Sequence, residues 1–134
     1  MKDRFAELAE IWIKKANNDY LWAVDSFKDG HFGGTCFLCQ QIAEKSLKAF
    51  LFIKKEKLAR THNLEQLLKA CQKHDFGFEK LSLAGKRLNE YYTDTRYPDI
   101  WDYARFEDKN LAMVALKSAK EILEFVGKKL KEEK

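Results

Sequence analysis

The sequence predicts an all-α protein: an antiparallel, up-and-down bundle of four to five helices, forming one domain over residues 1–134. Three observations carry this. Only 6 glycines and 1 proline interrupt 134 residues, too few for the many turns of a β-sandwich or barrel. Apolar residues make up 46% and charged residues 34%, the balance of a soluble globular chain rather than a disordered or membranous one. Apolar side chains also recur every three or four residues over long segments, the period of a helix face. A chain of this length closes a core without disulfide or metal staples.

The first helix is expected from about Asp3 to Asp29, with Phe5, Leu8, Trp12, Ala16, Tyr20, Ala23 and Phe27 on one face. Asp29-Gly30 ends it, because glycine tolerates the backbone conformation just past a helix, and Gly33-Gly34 is read as completing the break. The second helix is expected from about Gly34 to Lys55. Cys36, Cys39, Ala43, Leu47 and Phe50 form one apolar stripe, and Leu38, Ile42, Ala49 and Ile53 a second. Two stripes mark a central helix with neighbours on two sides. Gln40, Gln41, Glu44, Lys45 and Lys48 form its remaining polar face, with Glu44 and Lys48 in the favourable i,i+4 order.

Thr61 or Asn63 can cap a short third helix, which buries Leu64, Leu67, Leu68 and Cys71. His74-Asp75-Phe76-Gly77 reads as a turn. A fourth helix runs to about Asp94 with Leu81, Ala84, Leu88 and Tyr91 inward. Pro98 then forces irregular backbone. The last helix starts near Phe106 or Glu107, with Leu111, Val114, Ser118, Ile122 and Phe125 on one face. Leu116, Leu123 and Leu130 support another, and Glu107 and Asp108 suit its positive end.

The net charge is +4, which permits an anionic partner without arguing for one. Three cysteines point to a reducing compartment. The N-terminus lacks the apolar run of a signal peptide, and no stretch reaches the length of a membrane span. The expectation is a cytoplasmic protein with no membrane contact.

Cys36-x-x-Cys39 lacks the further ligands of a zinc site and the strand–helix setting of a redox motif, so both thiols read as core groups and no metal or cofactor is expected. His31, His62 and His74 fall at turns and helix starts; His62 reads as bonding backbone or solvent. The stretch from Tyr91 to Arg105 is different. Five aromatics, two arginines and three aspartates crowd its 15 residues around the only proline. Guanidinium groups fork onto phosphate, and aromatic faces stack on bases. The alternative is a connector whose aromatics cap the bundle and whose Arg96 pairs with an aspartate. Physics leaves both open.

Three stretches together resemble the HEPN family (higher eukaryotes and prokaryotes nucleotide-binding): Gln40-Gln41-Ile42-Ala43-Glu44-Lys45-Ser46-Leu47-Lys48-Ala49, then Thr61-His62-Asn63-Leu64, then Arg96-Tyr97-Pro98-Asp99. The resemblance covers nearly the whole chain. It implies an α-helical bundle that dimerises, and for small stand-alone members a minimal nucleotidyltransferase as partner or antitoxin. Ribonuclease members carry Arg, four to six residues, then His. Arg96 matches the Arg, but Trp101, Asp102 and Tyr103 fill the downstream window and none is His. In the related toxins a Tyr two residues past that His receives a nucleotidyl group; Tyr103 holds that position.

The resemblance thus implies a homodimer that binds nucleotide or RNA and acts with a minimal nucleotidyltransferase, as the toxin-like half of a toxin–antitoxin pair. Arg96, Tyr97, Asp99 and Tyr103 are the candidate binding residues, and Tyr103 the candidate modification acceptor. Arg96 contacts phosphate, Asp99 orients it, and Tyr97 and Tyr103 line the cleft. The rivals are a metal-independent ribonuclease of the same fold, using other groups as acid and base, and a non-catalytic helical interaction module.

Overall fold

Asp3 starts the first helix as its sequence position suggests: Oδ1 accepts a hydrogen bond from the Ala6 N–H at 3.0 Å, satisfying a donor that the first turn leaves unpaired. The structure, a computed structural model, describes residues 3–57, 60–92 and 107–133. These form α1 (Arg4–Lys28), α2 (Phe32–Ile53), α3 (Leu64–His74), a 3-10 segment (Phe76–Leu81), α4 (Ser82–Asn89) and α5 (Lys109–Glu132). The described residues hold no strand, and the all-α bundle is the architecture read from the sequence.

α1 and α2 pair antiparallel. Phe27 meets Phe32 next to the turn, Asp19 binds Lys45, and Trp12 meets both Lys48 and Phe52 further along. The turn between them differs from expectation. Gly30 alone, at φ 81°, supplies the left-handed residue that reverses the chain. His31 already offers its carbonyl to the Thr35 N–H, so Gly33 and Gly34 lie in the first turn of α2 rather than in the break.

α2 is the central helix. Cys36, Cys39, Ile42, Ala43 and Leu47 are fully buried, and α2 packs against α1, α3, α4 and α5. Both apolar stripes are therefore covered within one chain, or nearly so. Of the five residues read as its polar face, Gln40, Glu44 and Lys48 are buried, and Gln41 and Lys45 are partly so.

α3 runs alongside α2 in the same sense, since His62 meets Glu44, Cys71 meets Leu47 and His74 meets Phe50. α4 turns back against α3, and Leu64, Leu67, Leu68 and Cys71 of α3 and Leu81, Ala84, Leu88 and Tyr91 beyond it point inward as expected. Asp108 caps α5, accepting from the Asn110 and Leu111 N–H groups. The inward stripe of α5 is Ala112, Ala115, Ser118, Ala119, Ile122 and Val126, whereas Val114 is exposed. Of the expected face of Leu111, Val114, Ser118, Ile122 and Phe125, Ser118 and Ile122 are buried, Leu111 and Phe125 are half-buried and Val114 is exposed, and Ala112, Ala115 and Ala119 take the remaining inward positions.

Candidate functional site

Two of the three stretches that set this sequence apart, Gln40–Ala49 and Thr61–Leu64, meet in space. Gln40, Glu44 and Lys48 are one turn apart on α2, so helical geometry alone aligns them. Lys48 Nζ donates to Glu44 Oε2 at 3.0 Å, and Gln40 Nε2 donates to Oε1 at 3.2 Å. The third partner comes from the start of α3: His62 Nδ1 stands 3.0 Å from both carboxylate oxygens. A carboxylate that accepts from an ammonium and an amide has only acceptor capacity left, so Nδ1 carries the hydrogen. In the neutral ring Nε2 is then the acceptor nitrogen.

The backbone around His62 is fixed as firmly as the ring. Gln40, fully buried, donates from Nε2 to the His62 carbonyl at 3.3 Å and accepts from Gln41 at 2.7 Å. Thr61 Oγ1 accepts from the Asn63 N–H, and Asn63 caps α3 through the Glu65 and Gln66 N–H groups. The Leu64 N–H donates to Asn89 Oδ1 of α4 at 2.7 Å. Of the two caps open from sequence, Asn63 is the N-cap and Thr61 braces it.

The outer face of the His62 ring stacks on Tyr92, with centroids 4.3 Å apart and planes 11° from parallel. His62 remains about half exposed while Glu44 behind it is buried. A buried carboxylate thus holds an imidazole ring that is itself about half exposed. Tyr91, in contrast, is buried against the Cys36 thiol, so the aromatic stretch divides at its first two residues between core and surface. The chain continues from Tyr92 to Arg96 four residues on. Arg96, Tyr97, Asp99 and Tyr103, the site residues read from the sequence, lie outside the described residues.

Sequence reasoning missed the role of His62. It assigned the ring to backbone or solvent, whereas it binds a carboxylate 18 residues away. The i,i+4 spacing of Gln40, Glu44 and Lys48 was visible, but the loop that brings His62 to them carries no local signal.

A HEPN domain model matches residues 9–130. The chain belongs to the HEPN family. Among solved structures, this HEPN chain is similar to TT1696 from Thermus thermophilus, with 33% identity and a TM-score of 0.81 over 90% of this chain and 97% of that one. It is also similar to ST0689, an archaeal HEPN homologue, with 28% identity and a TM-score of 0.75 over 97% of this chain and 99% of that one. No curated protein matches the chain.

Two further clusters in this HEPN fold are structural. Asp19 of α1 is buried beneath Lys15 and Lys45, which neutralise it. Cys36, Cys39 and Cys71 are buried free thiols. Burial pushes the Cys36 thiol up to about 12 despite a hydrogen bond from Tyr91 that pulls the other way, and burial raises Cys39 and Cys71 too. They are packing groups rather than nucleophiles. Among the described residues no group of three or more His, Cys, Asp or Glu is placed to hold a metal, and no helix is long and apolar enough to cross a membrane.

Proposed function

We propose that this HEPN protein is a cytoplasmic homodimer that binds a nucleotide or RNA and acts with a minimal nucleotidyltransferase, as the toxin-like half of a toxin–antitoxin pair. The observation that supports it most is the stacked His62–Tyr92 pair over the buried Glu44 carboxylate. It offers an aromatic surface at the point where the chain leads into Arg96-Tyr97-Pro98-Asp99. Arg96 contacts phosphate, Asp99 orients its guanidinium, Tyr97 and Tyr103 stack on a base or line the cleft, and Tyr103 is the acceptor for a nucleotidyl group from the partner. Exposed Ile11, Leu21 and Trp22 along α1 are apolar surface that self-association would cover. Three unpaired thiols suit a reducing cytoplasm.

Calorimetric titration with ATP and with a short single-stranded RNA tests this reading. Arg96→Lys keeps the charge but loses the bidentate fork, and should bind more weakly than wild type. Arg96→Ala should lose on the order of 1–3 kcal/mol, the worth of a charge-assisted hydrogen bond. Neither should lower the melting temperature much. A wild-type protein that binds neither ligand would remove the reading.

A further inference from the structure

We infer that the groove between α3 and α4 docks a helical segment of a partner protein, apolar along one face and acidic on either side of it. This goes beyond the reading above and does not rest on it, since the groove uses neither the His62–Tyr92 pair nor the apolar surface of α1.

α3 and α4 are held together by the Leu64 N–H on Asn89 at one end and by Leu68 against Gly85 further along. Beside that contact opens a cleft of about 310 Å³, with Glu65, Leu68 and Lys69 on one wall and Glu79, Ser82 and Lys86 on the other. Leu68 is buried and gives the cleft an apolar floor. Side chains three residues apart eclipse one another in a 3-10 helix, so Phe76 stands in line with Glu79 at one end of the cleft. Leu83 follows Ser82 on the rim. Phe76 is 74% exposed, more than any other large apolar side chain among the described residues, and Leu83 is 58% exposed. A pair of packed helices with an apolar floor between them and free apolar side chains beside it is a form that seats a further helix.

The charges say what that helix carries. Lys69, Lys80, Lys86 and Arg87 are exposed, and none of them joins an ion pair among the described residues. For Lys69 this is unexpected. Glu65 stands one turn before it, in the more favourable order for an i,i+4 pair. The two do not pair, whereas Glu44 and Lys48, Lys15 and Asp19, and Lys120 and Glu124 do at the same spacing. The Lys69 ammonium is therefore left for another anion. Lys86 and Arg87 lie one turn beyond Leu83 and Lys80 one turn before it, so cations surround the exposed leucine. The complement is a helix with apolar side chains down its middle and carboxylates flanking them.

Two other occupants fit worse. Pairing this groove with its own copy about a two-fold axis would set the same four cations against each other. A nucleic acid would find Leu68 and Leu83, which offer neither a hydrogen bond nor a stacking face, and Glu65 and Glu79, which repel a continuous line of phosphates.

Two synthetic helical peptides of equal length test the inference. Both carry leucine at every third or fourth position; one has glutamate at the flanking positions and the other lysine. Each is titrated by fluorescence anisotropy into full-length wild type, Leu83→Ser, and the double variant Lys69→Glu with Lys86→Glu. All three positions are exposed, so the melting temperatures should match wild type. The acidic peptide should bind wild type, moving the backbone NMR signals of Leu68, Phe76 and Leu83 and leaving those of α1 in place. Leu83→Ser should weaken it about tenfold, as loss of an apolar anchor does. The charge-reversed variant should weaken it further, since like charges then face each other, and should take up the basic peptide instead. Loss of fold cannot produce that exchange of preference. An acidic peptide that does not bind, that moves the signals of α1 instead, or that binds both variants as well as wild type would overturn the inference. So would equal binding of both peptides by wild type. Binding to phosphatidylglycerol vesicles, lost in the charge-reversed variant and without any binding of the acidic peptide, would make this face a lipid surface and overturn it as well.

Discussion

Lys48 Nζ lies 3.0 Å from Glu44 Oε2 inside the bundle, with both side chains less than a tenth exposed. Two charges one helical turn apart would contribute little on an open surface. Here α1 closes over them, placing the Trp12 ring 5.7 Å from the ammonium. A buried pair is costly to break, because the survivor stays desolvated without its partner.

The first prediction concerns that asymmetry. Glu44→Ala leaves the Lys48 ammonium buried alone and takes the acceptor from Gln40 and His62 as well. It should cost about 3–5 kcal/mol. Lys48→Met should cost less, since Gln40 and His62 still donate to the carboxylate. The pair Glu44→Ala with Lys48→Met should be more stable than Glu44→Ala alone, because no ammonium is then left buried without its partner. Urea unfolding of the variants gives the coupling directly; a double variant as unstable as the sum of its singles would mean that the two charges do not depend on each other.

The same pair shows where sequence reasoning reached and where it stopped. The i,i+4 spacing made the Glu44–Lys48 contact legible, because it depends only on helix geometry. Its burial was not legible, because Trp12 and His62 cover it from other elements. Helix ends were read well at Asp3 and Asn63, where a side chain acts within three residues, and at Gly30, where one glycine turns the chain; the last helix, expected to start near Phe106 or Glu107, starts at Lys109 after its Asp108 cap. Gly33 and Gly34 were misread because glycine marks a turn only when its backbone is needed there. The inward face of α5 was read in part: Ser118, Ile122 and Leu123 are buried as expected, but Val114 is not and the buried Ala112, Ala115 and Ala119 were passed over, because large apolar residues are the stronger signal in a sequence. Of the candidate site, the stretches around Gln40 and Thr61 were singled out, but their meeting point at Glu44 and His62 is a tertiary fact.

The second prediction lies at the contact between α3 and α4. Gly85 faces Leu68, and a β-carbon added at Gly85 would fall well inside contact distance of Leu68 Cδ1. Both residues are buried. Alanine in place of glycine within a helix normally stabilises by roughly 1 kcal/mol. Overpacking a filled core costs about 1–3 kcal/mol, so Gly85→Ala should be net destabilising. Leu68→Ala alone should open a cavity and cost about 2–5 kcal/mol. The two together should be more stable than Leu68→Ala alone, because the new methyl group enters the space left by the leucine. Thermal melting of the three variants checks this, and a stabilised Gly85→Ala single variant would show that Leu68 yields freely.

The third prediction is a pH dependence. Asp75 ends α3 and starts the 3-10 segment, with Oδ1 accepting from the Gly77 N–H at 2.9 Å and Oδ2 2.8 Å from Lys129 of α5. The Lys129 ammonium, and then the Gly77 N–H, hold the Asp75 carboxyl below its usual value, while Asp75 raises Lys129 above its own. A lowered carboxylate contributes stability that is complete above its unfolded pKa of about 3.9 and is lost as pH falls through the lower folded value. A raised lysine contributes stability that is complete below its unfolded pKa of about 10.4 and is lost as pH rises through the higher folded value. The pair therefore acts across the whole range between, and fades only at the two extremes. Asp75→Asn isolates the charge, because the amide oxygen can still accept from Gly77. The partly exposed pair should contribute less than about 1 kcal/mol. The difference in urea midpoint between wild type and Asp75→Asn should be constant from about pH 5 to pH 9 and shrink as pH falls below about 4. A difference of the same size persisting at the acid end would mean that the carboxylate acts by shape or hydrogen bonding, and that its charge contributes nothing.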